Sequence, residues 1–141
     1  MTLEKIQDQI IEEFEVFEEW MDKYEYLIEL GKDLKIINEK LKNPDNLISG
    51  CQSKVWLHAD LIDGKIIFSA DSDAIITKGI VALVIRVLSN RTPKEIMEAD
   101  LYFINNIGLN ENLSPTRANG LLAMLKQMRM YAIAYNAKIK K

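Results

Sequence analysis

The chain has 141 residues and a mass of 16.2 kDa, one domain's worth, and its 48% hydrophobic and 28% charged residues are the mix of an ordinary globular protein. Six glycines, three prolines and one cysteine exclude a collagen-like repeat, a low-complexity chain and a disulfide scaffold, and one cysteine with one histidine is too few for a Cys/His zinc site built by this chain alone. Net charge −3 and a pI near 5.3 argue against a nucleic-acid surface, although the charge is uneven: residues 1–50 carry 13 acidic and 6 basic side chains, residues 101–141 carry 1 and 6.

Ile6, Ile10, Phe14, Phe17, Met21, Tyr24 and Ile28 recur at steps of three or four, which predicts a helical first region with one apolar face and glutamates on the other. Gly31 suits a helix stop, and Asn43-Pro44-Asp45-Asn46 reads as a turn. Val55, Leu57 and Ala59 alternate with Trp56, His58 and Asp60, a strand. Asp63-Gly64 is the dipeptide of a two-residue hairpin turn, and Lys65 to Ala70 is the return strand.

Asp71-Ser72-Asp73 then supplies N-cap chemistry for a helix over about 74–89, apolar nearly all round and therefore central and buried. Thr92-Pro93-Lys94-Glu95 is a capping box opening a short helix to about Glu98; Asp100 is a candidate cap for another over 101–106, which Gly108 ends. Ser114-Pro115 starts the last helix, to about Tyr135, with Leu121, Leu122, Met124, Leu125, Met128 and Ala132 inward. The expectation is one α+β domain over residues 1–141, a small antiparallel sheet packed by helices. Residues 1–6 show no targeting pattern, and the longest apolar stretch, Ala74 to Leu88, is too short and too charged to span a bilayer. A cytoplasmic chain with no membrane association is expected, its lone thiol kept reduced.

Any thiol chemistry lies at Cys51. A buried structural cysteine is one reading. Its setting in Ser49-Gly50-Cys51-Gln52-Ser53 favours the other, a loop-borne functional thiol. A hydrolase needs a base beside it, and His58 is seven residues along a strand, on the order of 20 Å if extended. A dithiol oxidoreductase lacks its second cysteine, and cluster ligation by this chain lacks ligands. Transfer of sulfur between molecules remains, by thiolate attack on a sulfur held by another protein. Asp71-Ser72-Asp73 has helix capping as its simplest role, with cation binding as the alternative. Arg117 stands in the first turn of the last helix, where the macrodipole disfavours a cation; it is either a plain surface arginine or a partner-facing one. Trp20, Tyr24 and Tyr26 read as core or rim packing.

Gly50-Cys51-Gln52-Ser53-Lys54-Val55-Trp56 resembles the SufE family of sulfur-acceptor proteins. So do Ala70-Asp71-Ser72-Asp73-Ala74 with Thr77 to Leu83, Arg91-Thr92-Pro93, Leu113 to Leu121 and, near the N-terminus, Tyr24 to Gly31. The likeness runs from about Trp20 to Arg129. It implies an α+β fold of the kind shared with IscU-type scaffolds. It also implies a protein that takes persulfide sulfur from a cysteine desulfurase of the SufS kind, stimulates that enzyme, and passes sulfur to a downstream Fe–S scaffold complex. By position Cys51 would be the acceptor, sheltered in an apolar pocket at rest, with Gln52 and Ser53 shaping its loop and Asp73 and Arg117 facing the partner. The resemblance implies no cofactor on this chain, since pyridoxal phosphate belongs to the desulfurase. Monomer and homodimer stay open, and the rival function is a binding module that regulates a partner, with Cys51 structural.

Overall fold

A computed structural model describes residues 1–48 and 53–139. The N-terminal apolar pattern becomes two helices rather than one continuous face. Helix α1, Leu3–Glu15, is capped by Thr2, whose hydroxyl accepts from Lys5 N at 3.1 Å, and buries Leu3, Gln7, Ile10 and Phe14. Residues 16–19 interrupt it, and α2, Trp20–Lys32, starts with a new phase in which Leu27 is buried and Met21 is exposed. The break lets Phe14 and Phe17 fold back on Tyr26, each with ring centroids 5.2 Å apart.

Gly31 does not stop α2; the helix runs through it to a cap at Asp33. Its role is packing, set out with Gly79 below. Two short 3₁₀ turns follow, Glu39–Leu41 and Pro44–Asn46, the second held by Asn43 Oδ1, which accepts from Asp45 N and Asn46 N.

Strands β1, Val55–Ile62, and β2, Lys65–Ser72, form the antiparallel hairpin, with Ile62 opposite Lys65 and Val55 opposite Ser72. Asp63 and Gly64 take φ of +52° and +79°, the primed turn that matches strand twist. Val55, Leu57 and Ala59 from β1 and Ile66, Phe68 and Ala70 from β2 are buried on one face. The hairpin gains single backbone bridges at its margins, where Ile37 N donates to Ala70 O, Ile48 N to Val55 O and Ile66 N to Arg91 O.

Helix α3, Ile75–Leu88, has eight buried residues of fourteen, because α2 covers one side and β2 another. Its N-cap is Ala74, with no side chain bonded to the first turn. The expected capping by Asp71-Ser72-Asp73 is therefore corrected. Strand β2 continues to Ser72, and the two carboxylates reach other partners instead. Helix α4, Pro93–Glu98, has the full Thr92/Glu95 capping box. Asp100 caps nothing: the next helix, α5, Phe103–Asn106, opens at Tyr102, and the Asp100 carbonyl accepts from the buried Gln7 amide. After α6, Leu109–Asn112, the long α7, Pro115–Ile139, packs on α4 and is tied to β1 by Tyr135 Oη donating to Ala59 O at 2.9 Å. Sheet and helices share one hydrophobic core, the expected α+β architecture.

One ion pair joins α1 to α3. Arg86 Nη1 and Nη2 lie 2.9 and 2.6 Å from the two Glu13 carboxylate oxygens, and Tyr26 Oη donates to the same carboxylate. The Arg86 hydrogen bonds, against some burial and with help from Tyr26, hold the Glu13 carboxyl at about 2 rather than 4.5. Burial, then the Glu13 contact, pushes the Tyr26 phenol up to about 12. A carboxyl depressed in the folded state stabilises fully above its unfolded value, and the contribution fades as pH falls from about 4.5 toward about 2. Arg86→Met should therefore flatten the pH dependence of stability in that window by about 1–2 kcal/mol after solvent screening, read from urea melts at a series of pH values. Parallel curves for the two proteins would show that the pair carries no such linkage.

Candidate functional site

Ser53 and Arg117, 64 positions apart in sequence, are brought together at the mouth of a cavity of about 360 Å³. Three elements build it. The start of β1 gives Ser53 and Val55; the first turns of α3 give Thr77, Ile80 and Val81; the first turns of α7 give Thr116, Arg117, Gly120, Leu121 and Met124. Each contribution follows from local sequence. Strand alternation points Val55 inward, and helical spacing aligns Thr77 with Ile80 and Val81, and Arg117 with Gly120, Leu121 and Met124. The floor is apolar and buried, from Val55, Ile80, Val81, Leu121 and Met124, while the polar residues Ser53, Thr77, Thr116 and Arg117 are half-buried or exposed. A small apolar hollow with a few convergent polar groups is the usual form of a ligand or reaction site.

Arg117 is the third residue of α7, in its first turn, with its backbone N donating to Ser114 Oγ at 3.3 Å. Its side chain is exposed, and no carboxylate among the described residues pairs with it. A cation held at a helix N-terminus without a counter-ion leaves a positive rim on the cavity.

Asp73 is not part of the cavity lining. Its carboxylate accepts from Lys54 N at 3.0 Å, and its own N donates to Lys54 O at 3.2 Å, so the two residues clasp β1's leading end to the chain leaving β2. Asp71 takes other partners. Lys42 Nζ is 2.6 Å from Oδ2, Lys78 Nζ is 3.3 Å from Oδ1, and Ser72 N donates to Oδ1 at 2.8 Å. Burial works against its ionisation, and these hydrogen bonds outweigh it, so the carboxyl sits below its ordinary range.

Cys51 and Gln52, expected as the acceptor and its neighbour, lie outside the described residues. His58 sits on the face of β1 opposite Val55 and pairs locally, with Nε2 3.1 Å from Asp60 Oδ1. Among the described residues no group of three or more His, Cys, Asp and Glu side chains is placed to hold a metal ion, and no helix is long and apolar enough to cross a membrane. Sequence reasoning passed over Thr77, whose signal was a lone hydroxyl within the apolar run of α3, and Thr116, which has no such signal in the exposed polar first turn of α7. It also passed over Lys42, whose local pairing with Glu39 gives no hint of its closer partner Asp71, 29 positions away.

A two-stranded hairpin backed by a buried central helix, with a cavity at the hairpin's open end, defines a small α+β class. Its backbone is similar to the solution structure of a hypothetical protein from Thermus thermophilus, with a TM-score of 0.75 over 92% of this chain and 94% of that one at 21% sequence identity, a likeness of fold alone. The sequence itself is decisive about the family: the SufE model, described as an Fe-S metabolism associated domain, matches residues 8–132. The chain belongs to the SufE family and thereby to the proteins associated with iron–sulfur metabolism.

Proposed function

We propose that this protein is a sulfur acceptor and carrier, taking persulfide sulfur from a cysteine desulfurase of the SufS kind onto Cys51, stimulating that enzyme, and passing the sulfur to a downstream Fe–S scaffold complex. The observation that carries the reading is a single cysteine in a SufE chain, joined covalently two residues before Ser53 at the cavity mouth. Ser53, two residues after Cys51 in the sequence, lines the same cavity as Arg117.

The step is a displacement at sulfur. The Cys51 thiolate attacks the outer sulfur of the donor's cysteine persulfide; a new S–S bond forms on Cys51 while the donor's S–S bond breaks. The donor cysteine leaves as a thiolate and takes up the proton that the Cys51 thiol gave away, so sulfane sulfur moves with no net oxidation or reduction. Arg117 supports this chemistry electrostatically, because both the attacking thiolate and the product persulfide are anions. Pyridoxal phosphate chemistry stays on the desulfurase, and this chain needs no cofactor of its own. The cytoplasm, where a lone thiol stays reduced, is the proposed setting.

The test is direct. Incubation with a cysteine desulfurase and cysteine, followed by intact mass measurement without reductant, should add about one sulfur atom to the chain. An unchanged mass on the wild-type protein would overturn the reading.

A further inference from the structure

Asp71, 7% exposed, is the one carboxylate among the buried described residues. A charge at that depth demands partners, and it has two ammonium groups, one from each of two elements. Lys42 follows the first 3₁₀ turn and belongs to the limb that runs through Pro44–Asn46 to Ile48, where Ile48 N donates to Val55 O at 2.8 Å. Its Nζ also lies 5.5 Å from the ring centroid of Trp56, the β1 residue opposite Asp71. Lys78 is in α3, beside the cavity-lining Thr77. Two residues beyond Asp71, Asp73 holds Lys54 on the other limb. One end of β2 thus grips the chain both before and after residues 49–52.

Buried ion pairs seldom stabilise more than an apolar replacement of similar volume; their better-attested use is to fix register. We infer that Asp71 is a positioning residue for sulfur acceptance, its Lys42–Asp71–Lys78 triad fixing the 42–48 limb against the cavity helix α3. The inference rests on the acceptor reading given above. Its role is exerted through the two described limbs, 42–48 and the segment at Lys54, rather than by chemistry of its own.

The test compares Asp71→Asn and Lys42→Met with Glu13→Gln, which breaks an ion pair at the other end of α3. Three quantities are read: amide exchange at Ile48 and Lys54, the chain concentration that half-saturates persulfide transfer from a cysteine desulfurase, and the thermal midpoint. The two triad variants should exchange faster at Ile48 and Lys54 than at Leu57 and Phe68. They should also raise the half-saturating concentration about fivefold, the worth of one lost hydrogen bond, and by more than they change the maximal rate. Glu13→Gln should lower the midpoint and move neither of the other readouts. Lys42→Met, which keeps the stem over Trp56, decides the matter should Asp71→Asn fail to fold. Triad variants that lower the midpoint alone, while wild type accepts sulfur, overturn this inference and leave the acceptor reading intact. A wild type that accepts no sulfur overturns both.

Discussion

Cys51→Ser should accept no sulfur at all, while its circular-dichroism melt shows a folded protein. The expected loss is complete because it is chemical. A serine hydroxyl is hardly ionised near neutral pH, and its oxygen cannot form the S–S bond in which transferred sulfur is held, whereas a thiol with pKa near 8.5 is a few per cent thiolate. The variant also separates two functions that share the fold. A carrier stimulates its desulfurase by emptying it, so Cys51→Ser should fail to raise cysteine turnover above the enzyme alone. A binding module that regulates the partner would stimulate just as well without the thiol. Turnover assays with equal amounts of the two proteins decide it, and full stimulation by Cys51→Ser would sink the carrier account.

What the sequence made legible was whatever depends on neighbours in the chain. Asp63-Gly64 announced the hairpin because positive φ at both central residues is a local requirement. Thr92 and Glu95 announced α4 because a capping box closes within four residues. The apolar run of α3 announced the buried centre. The site was half legible. Ser53 and Arg117 were named on different grounds, and the structure places both on one cavity. Asp71 and Asp73 read as caps because that assignment costs nothing locally, whereas Lys42 and Lys54, which they also hold, lie 29 and 19 positions back in the chain. Long-range ion pairing leaves no periodicity to read. The interruption at residues 16–19 was hidden for a similar reason: the apolar spacing continued across it, and only the packing of Phe17 on Tyr26 reveals the turn-back.

Gly79→Ala should be among the most destabilising single substitutions in the chain, although the same change in an exposed helix gains about 1 kcal/mol of propensity. Helices α2 and α3 meet backbone to backbone at Gly31 and Gly79. A Cβ on Gly79 would fall inside the van der Waals shell of the Leu27 carbonyl oxygen, with Leu27 C only 2.6 Å away and Leu27 Cβ 3.2 Å away. The obstacle is main chain, which no rotamer change relieves, and α3 cannot retreat because eight of its residues are buried against α2, β2 and their neighbours. Overpacking of this kind costs typically 1–3 kcal/mol and more where backbone must shift, so a net loss of about 2–4 kcal/mol is expected. Gly31→Ala meets a milder approach, 3.0 Å to Gly79 N, and should lose less. Gly64→Ala meets no atom within 4 Å, and its cost should come only from the φ of +79°, about 1 kcal/mol. Urea titrations of the three variants therefore rank Gly79 above Gly31 and Gly64. A Gly79→Ala protein as stable as wild type would mean that the two helices do not sit this close, and that the cavity-lining turn of α3 directly after Gly79, Ile80 and Val81, is not held where the site requires it.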